Sequence, residues 1–266
     1  MTRLRLLAAL AVAAGSIAAA PVLVPNRATY EVSLAQAKPG GAAGARGRTV
    51  IEITGTCDGW QTVERFLLDT SDSDGQVSRS DFVITAWENR AGTSMRFDVT
   101  DMTDGTIGER NKGRAELAAD GSGTVTLIAP AASSFALPAS TLFPMAQTLE
   151  ILRAAEAGKT ILSGPVFQGG DETSLYYSTV TIGRPLGLAD PAREAPDGAT
   201  DLLSGVAAWP VVMGYYPSGK DGLTPDYEVA TRLYANGIAG TMSLIYPDFT
   251  LKATLTRLER LPMPKC

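Results

Sequence analysis

Thr56-Cys57-Asp58-Gly59-Trp60 decides the fold, because Cys57 has one possible partner in the whole chain, and that partner is Cys266, the last residue. Asp58-Gly59 is turn chemistry, and the residues on either side alternate as strands do. A bond between the two sulfurs would tie the carboxyl terminus to an early hairpin and enclose nearly the whole body in one loop. In the chain-entropy description a loop of about 200 residues stabilises a fold by about 5 kcal/mol at most.

Whether the sulfurs join depends on the compartment. Arg3 and Arg5 precede an apolar run from Leu6 to Ala14, which leads to Ser16-Ile17-Ala18-Ala19-Ala20, small residues of the kind a signal peptidase accepts. We read residues 1–20 as a secretory leader and 21–266 as the mature protein. The run is too short to span a bilayer, and no later stretch approaches ~20 apolar residues, so no transmembrane span is expected. In an exported protein a lone pair of cysteines forms a disulfide, whereas in the cytosol the same pair would stay reduced.

Outward from Cys57, strand patterns follow one another. Arg27 to Ala37 alternates Tyr30, Val32 and Leu34 with Glu31 and Ser33. Pro39 to Gly47 reads as a glycine-rich loop. Arg48–Thr56, Trp60–Asp69, Ser80–Glu88 and Thr93–Asp101 read as strands broken at Asp58-Gly59, Asp74-Gly75, Ala91-Gly92 and Asp104-Gly105, and a further hairpin is expected at Asp120-Gly121. The period then changes. Met145, Leu149 and Leu152 recur at helical spacing between Pro144 and Gly158, which predicts one helix over residues 144–157. Strands are expected again over Thr173–Ile182 and Ala208–Tyr216, with Gly183–Ser204 as an exposed loop. Asn236-Gly237 predicts a two-residue hairpin that sets Val229 opposite Leu244 and Tyr227 opposite Tyr246, and Phe249–Leu258 reads as the last strand. The chain is all-β with one inserted helix, a meander long enough to curl.

Composition excludes several functions. There is no histidine, so Ser-His-Asp and Cys-His catalysis, imidazole zinc sites and histidine pH switches are absent. The net charge is −5, and removing two arginines, Arg3 and Arg5, with the leader takes it to −7; no nucleic-acid partner is expected. Gly214 to Lys220 spells a phosphate-loop pattern, but Asp221 stands where its magnesium-binding hydroxyl belongs. Asp72-Ser73-Asp74-Gly75 lacks the flanking ligands of a calcium loop and reads as a hairpin tip. No catalytic residues, metal ligands or cofactors are read from the chain. Glu64, Glu150 and Glu228 lie in predicted regular elements where a carboxylate could be buried, and a carboxylate pair acting on cell-wall glycan is the rival, enzymatic reading. Trp60, Trp87, Trp209, Tyr215 and Tyr227 are the candidates for lining a ligand cavity; Tyr216 is a further aromatic near them.

Several segments together carry a family resemblance: Asn26-Arg27-Ala28-Thr29-Tyr30-Glu31-Val32-Ser33-Leu34, Gly55-Thr56-Cys57-Asp58-Gly59-Trp60, Phe143-Pro144, Trp209-Pro210-Val211, Asp226-Tyr227-Glu228-Val229, Leu233-Tyr234-Ala235-Asn236-Gly237, and Leu261-Pro262 before Cys266. In these the chain resembles the cell-envelope-integrity EipB family of exported proteins from Gram-negative bacteria. The resemblance implies a periplasmic monomer, a barrel-like β-spiral crossed by a helix and closed by Cys57–Cys266. It implies a role in envelope integrity without enzymatic activity. It further implies an apolar lumen for a lipid, lipopeptide or peptide guest; a separate, purely interaction-based reading has an exposed strand docking a periplasmic helical-repeat protein. Near Asn26 and Gln147, where relatives are expected to carry histidine, this chain has none.

Overall fold

The computed structural model describes residues 21–39, 41–187, 196–218 and 224–266. The leader, and Gly219, Lys220 and Asp221 of the phosphate-loop-like segment, lie outside the described residues.

Eight strands run in unbroken antiparallel succession: β1 (Asn26–Ala37), β2 (Gly44–Gly55), β3 (Gly59–Ser71), β4 (Val77–Asn89), β5 (Ser94–Thr103), β6 (Thr106–Leu117), β7 (Gly123–Ala129) and β8 (Ser133–Leu137). Helix α1 (Pro144–Glu156) follows. The second run is β9 (Ile161–Phe167), β10 (Leu175–Ile182), the two-residue β11 (Asp197–Gly198), β12 (Ala208–Pro217), β13 (Tyr227–Tyr234), β14 (Ala239–Ile245) and β15 (Phe249–Arg260). The two runs are one sheet because β15 returns to pair with β1, which leaves β8 and β9 as its edges. Leu142 bridges to Val166 of β9, so the sheet curls into a nearly closed barrel.

The disulfide holds this arrangement where the chain's ends meet. Cys57 lies in the β2–β3 turn and Cys266 in the tail after β15, with Cα atoms 5.6 Å apart across a separation of 209 residues. The tail reaches Cys57 by lying on Gly55, where an added Cβ would stand 3.3 Å from Pro264. Trp60 begins the strand that leaves the turn.

The turns use the chemistry expected of them. Asp104 and Gly105 both have positive φ, 52° and 79°, as a two-residue hairpin of mirror-image twist requires. Asn236-Gly237 differs. Tyr234 N–H donates to Ile238 O at 2.9 Å and Gly237, alone of the pair, has positive φ, so the loop has three residues. The predicted partners still meet: a second irregularity between Thr231 and Leu233 restores Val229 opposite Leu244. Two one-residue shifts cancel because the buried face of β13 has to stay buried.

Other expectations need correction. β2 starts at Gly44, inside the segment read as a loop, because an antiparallel partner was already present in β3. β9 was not expected; it has Gly164 and Pro165 in its middle, residues that disguise a strand and are tolerated at a sheet edge. The segment Gly183–Ser204 is not all exposed. Leu202 and Leu203 are buried, and Asp197–Gly198 pairs with Arg257 and Leu258, filling the edge that β14 leaves open by ending opposite Ala253.

Helix α1 confirms the predicted start at Pro144 and stop at Gly158, whose φ is +71°. It buries Met145, Gln147, Ile151, Leu152, Ala154 and Ala155 against the sheet's inner face. Its N-cap residue, Phe143, offers no side-chain acceptor. A carboxylate from the sheet does instead: Glu88 of β4 accepts the Met145 N–H at 3.0 and 3.1 Å. An anion among free helix N–H groups is stabilised by their partial positive charge.

Candidate functional site

A barrel of eight strands is filled by its own side chains, and wider ones enclose space. The 14 strands on the continuous path of this sheet are therefore too many to be packed solid, and the interior divides in two. Near the helix it is a core. Met95, Ala115, Val125, Phe143, Phe167 and Leu152 have essentially no exposed surface, with Phe97 and Phe135 set edge-on to Phe167 at 5.6 and 5.8 Å.

Elsewhere the inward face mixes buried side chains, such as Tyr30, Val32, Leu251 and Leu255, with others that stay partly open. In β3, Thr62, Glu64 and Phe66 share the face of the buried Trp60 and Leu68, yet all three retain accessible surface. Ile51, Val229, Leu244, Tyr246 and Phe249 pack against the same cluster and are also only partly buried. A run of tyrosines crosses this region: Tyr215 stacks on Tyr227 at 4.7 Å, Tyr176 stands edge-on to both at 5.9 and 5.8 Å, and Tyr227 continues to Tyr246 at 6.1 Å. Phe249 lies 4.8 Å beyond Tyr246.

The polar atoms here are organised around two glutamines. Tyr227 donates to Gln168 Oε1 at 2.7 Å, Tyr215 donates to Gln147 Oε1 at 3.4 Å, and Gln147 Nε2 donates to Ser178 Oγ at 3.0 Å. Burial pushes the Tyr215 phenol up to about 12 and Tyr227 well above its ordinary range, so both remain neutral donors at any physiological pH. Among the described residues Glu64 accepts the Thr49 hydroxyl alone, at 3.4 Å. Desolvation pushes its carboxyl pKa up, and that hydroxyl partly offsets the rise. Protein surrounds Glu64 closely, and the group still keeps accessible surface, as a side chain facing an internal space does. Glu88 is pushed up to about 7 by burial, against the opposing pull of the Met145 and Ala146 amides.

Of the residues singled out from sequence, Tyr227 is partly open to this interior, and Tyr215, 6% exposed, is buried beneath it. Trp60 and Trp209 also point inward but are 7% exposed and pack with Met145, Ile151 and Leu152, so they belong to the core beside the helix. Trp87 is a correction. Ala86 and Glu88 turn inward, and strand alternation turns Trp87 outward, where Arg96 lies 4.2 Å over its ring and Thr56 Oγ1 accepts its N–H. Glu150 is on the helix beside Arg153 at 3.5 Å, and Glu228 is half-buried. Sequence reasoning missed Tyr176, Gln168 and the capping role of Glu88. Only the inward parity of Glu88 with Ala86 could have signalled the last.

A family model described as EipB-like matches residues 17–262. The chain belongs to the EipB-like family. The cell envelope integrity protein EipB of Brucella abortus is 30% identical over 255 residues, covering 92% of this chain and 87% of that one. The crystal structure of a β-barrel-like protein of a domain of unknown function from Brucella abortus superimposes with a TM-score of 0.79 at 29% identity, over 91% of this chain and all of that one. These relatives are named for envelope integrity and for shape, and neither name is that of an enzyme. Among the described residues no helix is long and apolar enough to cross a membrane.

Proposed function

We propose that this protein is exported to the periplasm, where it supports the integrity of the cell envelope by holding a lipid, lipopeptide or peptide guest non-covalently in its lumen. The role in envelope integrity rests on the EipB relative. The binding role rests on one observation: apolar and aromatic side chains on the inward face keep accessible surface that a solid core would have covered. A disulfide suits an oxidising compartment, and residues 1–20 suit a leader that is removed, leaving one domain that acts as a monomer. The tyrosines give an apolar wall with hydroxyls at its rim, suited to an acyl or peptidic body with a polar end.

Two features favour binding over catalysis. Histidine is absent, and the Glu88 carboxylate is engaged by helix amides. The test is native mass spectrometry of delipidated protein offered envelope lipids and acylated peptides. Uptake of one class, reduced by Tyr227→Ala, supports the proposal; no uptake of any class leaves a scaffold that acts only through its outer surface.

A further inference from the structure

The two edges of the sheet meet along a seam that is joined at one end and open at the other. At the joined end Phe135 of β8 touches Phe167 of β9, and Leu142 lies beside β9 as a one-residue parallel strand. Its N–H donates to Pro165 O and its C=O accepts from Phe167 N–H, both at 3.0 Å. The alternation of β9 follows. Ile182 N–H donates to Thr160 O and Gln168 N–H to Ser174 O, so residues 160, 162, 164, 166 and 168 exchange hydrogen bonds with the β10 side. Residues 161, 163, 165 and 167 turn theirs to the seam. Leu142 uses those of Pro165 and Phe167. Among the described residues, nothing pairs with the backbone N–H and C=O of Ile161 and Ser163 on that side, and Ile161 is 70% exposed.

That free edge borders a cavity of about 500 Å³. Leu162, Ser163 and Gly164 form one wall, the β6–β7 turn with Asp120 the other, and Gln147, Glu150 and Ile151 of α1 the floor. A Cβ added at Gly164 would meet nothing within 4 Å, so the wall is open to an approaching backbone. The lining carries two carboxylates, Asp120, which accepts from Ser122, and Glu150, which stands 3.5 Å from the exposed Arg153 outside the lining, and no lysine or arginine.

We propose that an extended, cationic peptide segment of another protein binds here as an added strand on β9, pairing with the backbone of Ile161 and Ser163 and placing a side chain in the cavity. Leu142 already uses this mode one step along the same edge, and unpaired strand edges recruit extended chains. The two carboxylates favour lysine or arginine on the incoming segment. They also disfavour a second copy of this chain, which would bring the same two acids to the seam.

The probe is a panel of acetylated, amidated hexapeptides in which lysine alternates with apolar residues, followed by fluorescence anisotropy and amide exchange of the intact mature protein. Binding is expected to slow exchange at the Ser163 amide. Glutamate in place of lysine should weaken it roughly tenfold, and added salt should weaken it further. Ser163→Pro deletes one of the two unpaired N–H groups aimed at the seam and leaves the bonds to β10, so it should cost roughly tenfold in affinity. Gln147 borders both this cavity and the proposed guest site, but among the described residues Ser163 borders this one and makes no hydrogen bond with Tyr215 or Tyr227. Lumen uptake of lipid should therefore be unchanged by that variant, which distinguishes the two. Should the variant fold poorly, peptides N-methylated at alternate positions against the unaltered protein replace it, and one of the two methylation registers should abolish binding. Failure of the whole panel, or binding indifferent to both Ser163→Pro and N-methylation, overturns the proposal. So does a concentration-dependent dimer broken by Ser163→Pro, which would assign the edge to a second copy.

Discussion

The interior beside α1 and the interior between the tyrosines are built on the same sheet by the same alternation, and they differ in whether anything fills them. Beside the helix, α1 brings Met145, Ile151 and Leu152 to the inward face, and Phe143 and Phe167 close what remains. Across the tyrosine region Tyr30, Val32, Leu251 and Leu255 are buried too, but Phe66, Leu244, Tyr246 and Phe249 beside them are left partly bare. The difference teaches that an alternating pattern specifies which way a side chain points and says nothing about what it meets. Beside the helix a separate body completes the core, whereas on β1 and β15 the strands bury one another and leave their neighbours partly open.

The contrast can be broken by mutation, and the largest effects belong to the filled side. Phe143→Ala removes a ring with no exposed surface, and calorimetry or denaturant melts should show a loss of about 4 kcal/mol. A loss below about 1 kcal/mol would mean that the helix side is as open as the other. Cys57→Ser should cost about 3 kcal/mol and raise protease sensitivity under oxidising conditions, since the closed loop spans almost the whole body. An unchanged melting curve would show that the β1–β15 pairing holds the termini unaided.

Glu88 sharpens the same comparison through pH. Its carboxyl titrates at about 7 in the folded protein against an ordinary 4.5, so the folded state holds the proton more tightly than the unfolded one. Stability from this group is complete below about 4.5, falls as pH rises through 7, and then levels off. Glu88→Gln should flatten that part of the profile, making the difference between variant and parent change by on the order of 3 kcal/mol between pH 4 and pH 8. Parallel profiles for the two proteins would show that the helix amides hold the carboxylate charged throughout. The smallest stability effect is expected on the open side. Leu244→Ala should cost about 1 kcal/mol, because its side chain is already partly wet, while guest uptake by native mass spectrometry changes measurably. A loss of about 3 kcal/mol or more would show a packed core there and no lumen.

Much of the β layout was legible because turns announce themselves. Asp58-Gly59, Asp104-Gly105 and Asp120-Gly121 each fall between paired strands, and Pro144 and Gly158 bracket the helix. β9 escaped notice because Gly164 and Pro165 carry poor strand propensity, which an edge tolerates and a central strand does not. The candidate site was half visible. Tyr227 and Tyr246 could be set on one face from the hairpin alone, and the structure brings them together, with Tyr215 of β12 stacked on Tyr227. Tyr176 comes from a strand whose place beside β12 no local signal reveals, and the outward turn of Trp87 depends on the register of β4.

By itself the sequence determined most of the strands, the helix with both its ends and, through its only two cysteines, the sole bond available to close the chain. Those depend on neighbours along the backbone or on a residue count, which a linear reading contains. Tertiary structure alone decided that β15 would lie beside β1, that β8 and β9 would be left as edges with part of a seam unpaired, and that Glu88 would cap a helix 57 residues away. Such outcomes depend on the curvature of the whole sheet and on what remains to cover each face once it has curled, and no local window of residues carries that information.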